Sequence, residues 1–263
     1  MSTERPDKAC EFLLQGRIII IVNGSPYSII LPVTLSDYMT SPEDKNLKTN
    51  FANFLRFLRF IGSFLTLLLP GLYVAITSFH EEILPTELLF SILASRENVP
   101  FPVIFELLIM ELSFELIREA GLRVPSPVGP TIGIVGALVL GQAAVSADIV
   151  SPILIIIVAI TGIASFTIPD FIYGFHLRFF RFIFILLGYM AGFLGIGIGI
   201  FVYLSILCSL NSFGVPLTAP FVTKKVKRNS YFLPPIWKRD IRASYLSTKR
   251  PNSQEKISMK WKY

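Results

Sequence analysis

VPSPVGPTIGIVGALVLGQAAVSADIVSPILIIIVAITGIASFTIP, Val124–Pro169, decides the fold. Its 46 residues carry one formal charge, Asp148. As a single helix it would be roughly 69 Å long at about 1.5 Å per residue, against a bilayer core about 30 Å thick. An Asp at mid-membrane costs on the order of 3 kcal/mol, and placing Asp148 in a turn removes that cost. The stretch therefore reads as a helical hairpin with arms at about 124–147 and 149–169.

Working outward, two further runs behave alike. Phe60–Phe79 has 20 uncharged residues with Pro70 and Gly71 in the middle, where a kink is expected because proline frees a backbone carbonyl. Phe182–Thr223 has 42 uncharged residues, with the helix ending near Asn211–Gly214, so a span at about 182–210. The link between hairpin and last span, Pro169–Phe182, is aromatic and basic, and His176, Arg178 and Arg181 read as an interfacial belt. Composition agrees: 52% hydrophobic and 16% charged residues, with mean hydropathy +0.62, against about 25% charged in ordinary soluble chains.

His80–Arg123 is different, with eight acidic and three basic residues. A helix over about 99–119 would place Glu111, Glu115 and Glu119 on one stripe at i, i+4 spacing, with Glu106 nearby. Two readings stand. The helix lies in the interface or re-enters it with its apolar face down, or its glutamates face a water-filled path inside an assembly, where carboxylates attract cations. Glu106, Glu111, Glu115 and, in the hairpin, Gln142 are the candidate pathway residues. Gly129, Gly133 and Gly136, and then Gly188, Gly192, Gly195 and Gly199, fall at helical spacing and are candidate helix-packing faces.

Residues 1–59 precede the membrane domain at 60–223. A short helix ended by Gly16 and two β-rich runs around Asn23–Pro26 form a small α/β piece that cannot bury a core of its own. Either it packs on a partner or it is the end of a larger domain, which four crossings would place in the cytoplasm with the tail. Ser41 reads as the N-cap of a pre-membrane helix, with Pro42 first and Glu43 and Asp44 in its first turn. The tail at 224–263 has twelve Lys and Arg against two acids, which puts it in the cytoplasm. The fold expected is thus an all-α polytopic membrane protein with four transmembrane helices, or five if 101–117 crosses, plus one interfacial or re-entrant helix.

The net charge of +6 sits mostly in that tail beside a membrane, so the pattern is not that of a nucleic-acid-binding surface. Cys10 and Cys208 read as small buried hydrophobes. No nucleophile, metal-ligand or phosphate-loop motif is present. The chain is accordingly not expected to be an enzyme or to hold a metal or cofactor.

ERPDKACEFLLQGRIIIIVNGSP, SPEDK, LLPGLYVAITSFHEEILPTELLFSILASRENVPFPVIFELLIMELSFELIREAG, VGPTIGIVGALVLGQAAVSADIVSP and LNSFGVPLTAP, in that order over residues 3–222, resemble the A subunits of GerA-type spore germinant receptors. Stage V sporulation protein AF is a paralogue that resembles the same blocks. The resemblance implies a protein of the endospore inner membrane that senses nutrient germinants with a permease-like B subunit and a lipoprotein C subunit. It also implies oligomerisation into a ligand-gated ion channel. Family members carry a large cytoplasmic domain before the ERPD block, of which only the end is expected here. A non-conducting scaffold and a secondary transporter are the competing readings.

Overall fold

The structure, a computed structural model, describes residues 1–123, 136, 139–222, 231–233, 235 and 242–246. The chain divides into two compact units. One comprises residues 1–60, 168–170 and 201–263, the other residues 61–167 and 171–200.

The first unit is built on a small antiparallel sheet. β1 (Ser2–Thr3), β2 (Ile18–Ile21) and β3 (Ser28–Leu31) lie in the order β1-β3-β2, with Ile18 opposite Leu31 and Ile20 opposite Ile29. Gly24 supplies the left-handed turn (φ 85°) that the Asn-Gly signal promised. α1 (Pro6–Leu14) starts with proline at its first position and stops at Gly16, φ 89°. The guanidinium of Arg17, packed over the Phe12 ring, pairs with Asp37 on the one-turn α2 (Leu35–Tyr38), Nη2 to Oδ1 at 2.8 Å. The loop after the last long helix belongs to this unit too. β4 (Asn211–Ser212) and β5 (Val215–Pro216) form a hairpin, and Leu35 N–H donates to the Leu217 carbonyl at 2.6 Å.

Ser41 does not cap the long helix. It opens a single 3-10 turn (Pro42–Lys45) and donates its N–H to Asp44 Oδ2 at 3.4 Å, whereas α3 starts later and runs over Thr49–Phe79. Asp44 is fully buried and accepts from Arg56 Nε (3.1 Å) and Arg59 Nη1 (2.7 Å). Its carboxylate thus serves two arginines of α3. Arg56 also donates to the Tyr231 carbonyl at 2.7 Å, while the Tyr231 hydroxyl donates back to the Arg56 carbonyl at 2.8 Å. Most of the basic tail lies outside the described residues. Cys10 and Cys208 are both exposed, which corrects their reading as buried hydrophobes: each falls on an outward position of its helix.

The second unit is helical. After α3 come a 3-10 turn (Glu81–Ile83), α4 (Thr86–Arg96), α5 (Val103–Arg123), a helical stretch at 139–146, α6 (Pro152–Phe166) and α7 (Phe171–Ser209). Its core gathers Val74, Leu107, Met110, Leu154, Val158 and Ile185. Asp148 is exposed in the turn before α6, with φ 51°, so the one charge of Val124–Pro169 sits between helices as its cost demands.

α3, with 31 residues and mean hydropathy 1.9, and α7, with 39 and 2.2, are long and apolar enough to cross a membrane. The expected span at 60–79 falls within α3, whereas the one at 182–210 lies within α7 but contains a break at Ala191–Gly192, so it is not one continuous helix. The span at 149–169 contains α6, whose 15 residues are short of the ~20 a crossing needs. The span at 124–147 lies largely outside the described residues, as do Gly129 and Gly133. Gly136 is in ordinary contact with Ile117.

α7 is not one rod. Ala191 (φ −142°, ψ 18°) and Gly192 (φ 56°, ψ −137°) are non-helical, and Gly192 takes a conformation that side chains with a Cβ avoid. A Cβ on Gly195 would sit 2.2 Å from the Leu187 carbonyl oxygen, and one on Gly199 within 3.0 Å of the Phe184 ring. The segment after the break therefore folds back on the segment before it. The glycine series 188–199 expected as one packing stripe divides by role: Gly188 meets another helix, Gly192 makes the reversal, and Gly195 and Gly199 let the two arms touch. The helical run breaks here and not at Pro70, through which α3 continues.

Gly188 and Gly71 bring α7 and α3 backbone to backbone, since a Cβ on Gly188 would lie 2.5 Å from the Gly71 carbonyl oxygen. A Cβ on Gly197 would meet nothing within 4 Å. Gly188→Ala should destabilise the purified protein by about 1–3 kcal/mol through overpacking, and Gly197→Ala should be neutral or slightly stabilising, as read by thermal unfolding in detergent.

Candidate functional site

α5 buries Glu106 and Glu111 beside Leu107 and Met110 and leaves another set of apolar side chains outward. Glu106 and Glu111 are 0% and 1% exposed, whereas Phe105, Leu112 and Leu116 are 56%, 56% and 64% exposed. This inverts the expected interfacial arrangement, and the physical reason is on the neighbouring helices, which present arginines to that face.

Glu111 Oε2 is 2.8 Å from Arg181 Nη2. One turn on, Glu115 Oε1 lies 3.1 Å from Arg181 Nη2, 3.3 Å from Arg118 Nη1 and 3.2 Å from Arg178 Nε. The last contact is close enough for an ion pair but out of line for a hydrogen bond, so Arg178 Nε has no hydrogen-bond partner. Arg178 and Arg181 are buried. They are therefore not an interfacial belt, as the sequence suggested, but the counter-charges of the glutamate stripe. Arg118 is held from a third side: it donates to Ser165 Oγ of α6 at 2.6 Å and stacks over the Phe166 ring, 4.4 Å from its centroid. Three guanidinium groups thus share two carboxylates. Burying such charges is tolerable only when they are paired, and removing one partner leaves the other stranded at a cost of about 3–5 kcal/mol.

Glu106 belongs to a separate knot. Its Oε1 accepts from Arg96 Nη2 of α4 at 3.1 Å, and its Oε2 accepts the backbone N–H of Ser151 at 3.1 Å. Ser151 is the N-cap of α6, so the carboxylate sits where the helix dipole favours negative charge. Glu119 is outside both groups, exposed and paired with Arg123 at 2.8 Å. Gln142 is exposed and joins neither. Of the four candidate pathway residues, then, Glu111 and Glu115 are brought together, Glu106 has its own partners, and Gln142 stands apart. Among the described residues there is no group of three His, Cys, Asp or Glu side chains fit to hold a metal.

The model of the family described as Bacillus/Clostridium GerA spore germination protein matches residues 1–245. Spore germination protein KA of Bacillus subtilis (strain 168) is 46% identical over 248 residues, covering 93% of this chain and 45% of that protein. Spore germination protein GerLA of Bacillus cereus is 41% identical over 252 residues, 95% of this chain and 51% of that protein. The uncharacterized membrane protein YfkQ of B. subtilis (strain 168) is 42% identical over 228 residues, covering 86% of this chain and 44% of that protein. The chain spans about half the length of the curated relatives it matches. No solved structure matches it.

Glu106→Gln should remove the charge that Arg96 and the α6 N-terminus both use and lower stability by about 2–4 kcal/mol, measured by thermal unfolding. Glu119→Gln, on the exposed pair, should melt like the parent protein.

Proposed function

The chain belongs to the GerA spore germination protein family, and from that premise we propose that it is a membrane subunit of a nutrient germinant receptor, part of an oligomeric ligand-gated ion channel of the spore inner membrane. Its partners in this reading are further copies of itself, a permease-like B subunit, a lipoprotein C subunit and the surrounding lipid. It binds no cofactor and performs no covalent chemistry. Membrane placement draws support from α3 and α7, which are long and apolar enough to cross, and from a relative that is itself described as a membrane protein.

The observation that carries the channel reading is the inward-facing carboxylate pair on α5. Glu111 and Glu115 lie where cations could be attracted, yet each is closed by arginines of α5 and α7. Such an arrangement suits a shut state: opening would require the arginines to be withdrawn and the carboxylates handed to the passing ion. A ligand can drive that change only by binding the open state more tightly than the shut one. The same pairing also favours a second reading, a scaffold subunit that holds its partners without conducting, because both carboxylates already have arginine partners.

The two readings part on flux. Spores carrying Glu111→Gln and Glu115→Gln together should show germinant-triggered cation release changed at least several-fold at matched protein levels. Unchanged release would remove these residues from the path. Reconstituted vesicles containing the A subunit should conduct monovalent cations, and silent vesicles with correctly inserted protein would favour the scaffold.

A further inference from the structure

The small sheet of the first unit ends in an unguarded strand. In the order β1-β3-β2, β2 lies at the edge and is paired with β3, from Ile18 opposite Leu31 to Ile21 opposite Ser28. In an antiparallel ladder alternate residues turn their backbone groups toward the partner. Half of the β2 amides therefore point away from β3, and among the described residues no strand meets them. An open edge is a template for another strand, and sheets commonly blunt it with lysine, proline or a bulge. β2 is short but has none of these: it is a run of isoleucines, with Ile21 78% exposed. Its two faces differ. Ile30, opposite Ile19, is fully buried, whereas Ile18, Ile20 and Ile29 are exposed.

The end of the same chain carries the matching pattern. ISMKWKY, residues 257–263, alternates apolar and polar side chains without a slip, the period of a strand with one apolar face. These residues lie outside the described ones and beyond the match to the family model, which ends at 245. The described part of the tail leads toward β2. Arg242 Nε donates to the Leu14 carbonyl at 3.1 Å. Tyr245, in a 3-10 turn (Ser244–Leu246), sits beside Thr34, Asp37 and Arg17, the last of which immediately precedes β2. The ten residues between Leu246 and Ile257 reach up to about 35 Å, whereas β2 is about 13 Å long.

We infer that residues 257–263 form the fourth strand of this sheet, paired with β2 along its open edge. Ile257, Met259, Trp261 and Tyr263 lie on the covered face with Ile19 and Ile21, and Lys260 and Lys262 on the other. The lysines supply the charged guard that β2 lacks, so the new outer edge resists pairing with further chains. Trp and Tyr interleaved with lysine also suit a lipid headgroup layer, but the strict period of two favours the sheet. This pairing stands whether or not the protein conducts ions.

Hydrogen exchange of the β2 amides reads the pairing in the purified full chain, first in neutral detergent. Removing residues 257–263 should speed exchange of the outward amides about tenfold or more while the α1 amides stay as they were. Trp261→Lys, which puts a charge on the covered face, should act like the removal, and it decides the matter if the removal disturbs α1 as well. Lys260→Thr, on the other face, should leave β2 exchange within about threefold of the parent. Nanodiscs of phosphatidylglycerol and of phosphatidylcholine then test the lipid alternative, and equal protection of β2 in both is expected. β2 amides that exchange alike with the tail, without it and in a folded Trp261→Lys would overturn the pairing. So would a tail protected only in phosphatidylglycerol, with β2 unaffected.

Discussion

The pairing of Glu111 and Glu115 with Arg178 and Arg181 is the constraint on which the helical unit depends. Glu111, Arg178 and Arg181 are buried and Glu115 is partly so, and an isolated charge in the interior would be driven neutral or outward. Each therefore fixes the position of the other. α5 must turn its carboxylate stripe toward α7, which leaves Phe105, Leu112 and Leu116 facing outward. α7 must approach closely enough for its arginines to reach. Where α7 passes α3, the missing side chains of Gly71 and Gly188 allow the same closeness between backbones.

The same physics shapes the sequence on both sides of the cluster. Asp148 has no arginine near it in sequence and lies in an exposed turn, whereas Glu106 and Glu111 of α5 have partners and lie inside. A charged residue in an apolar chain of this kind has only those two settlements, solvent or a counter-charge. The break at Ala191–Gly192 answers a different demand: an uninterrupted helix over Phe171–Ser209 would be about 58 Å long at ~1.5 Å per residue, nearly twice a bilayer core. Folding at Gly192 divides it into two arms of membrane-compatible length. In the channel reading, the ion pairs would be both the element that holds the shut state and the element a gating movement must rearrange.

Much of this architecture is legible in the sequence because its signals are local. The Asn23-Gly24 turn, the stop at Gly16, the end of the last helix near Asn211–Gly214 and the placement of Asp148 each follow from a few neighbouring residues. What local pattern does not carry is partnership. Glu115 and Arg181 lie 66 positions apart, and nothing within either segment identifies the other, so Arg178 and Arg181 read as belt residues and the glutamates as an interfacial face. A usable signal was present in the spacing: two glutamates four apart on one helix and two arginines three apart on another make matching one-turn ladders. Glycine poses a related ambiguity, since Gly188 and Gly192 fit one helical stripe although one is a contact and the other a reversal. Ser41, Pro42 and Asp44 carry every mark of a helix start, and the 3-10 turn they open fits those marks equally well, because Asp44 is diverted to Arg56 and Arg59.

A double-mutant cycle on Glu111 and Arg181, with Glu111→Gln, Arg181→Gln and the double variant unfolded thermally in the same detergent, addresses the ion-pair constraint most directly. If the pair fixes α5 against α7, each single change strands a buried charge and the double variant is no less stable than the worse single, a coupling of about 2 kcal/mol or more. Losses that simply add would contradict it, and the inward turn of α5 would then need another cause.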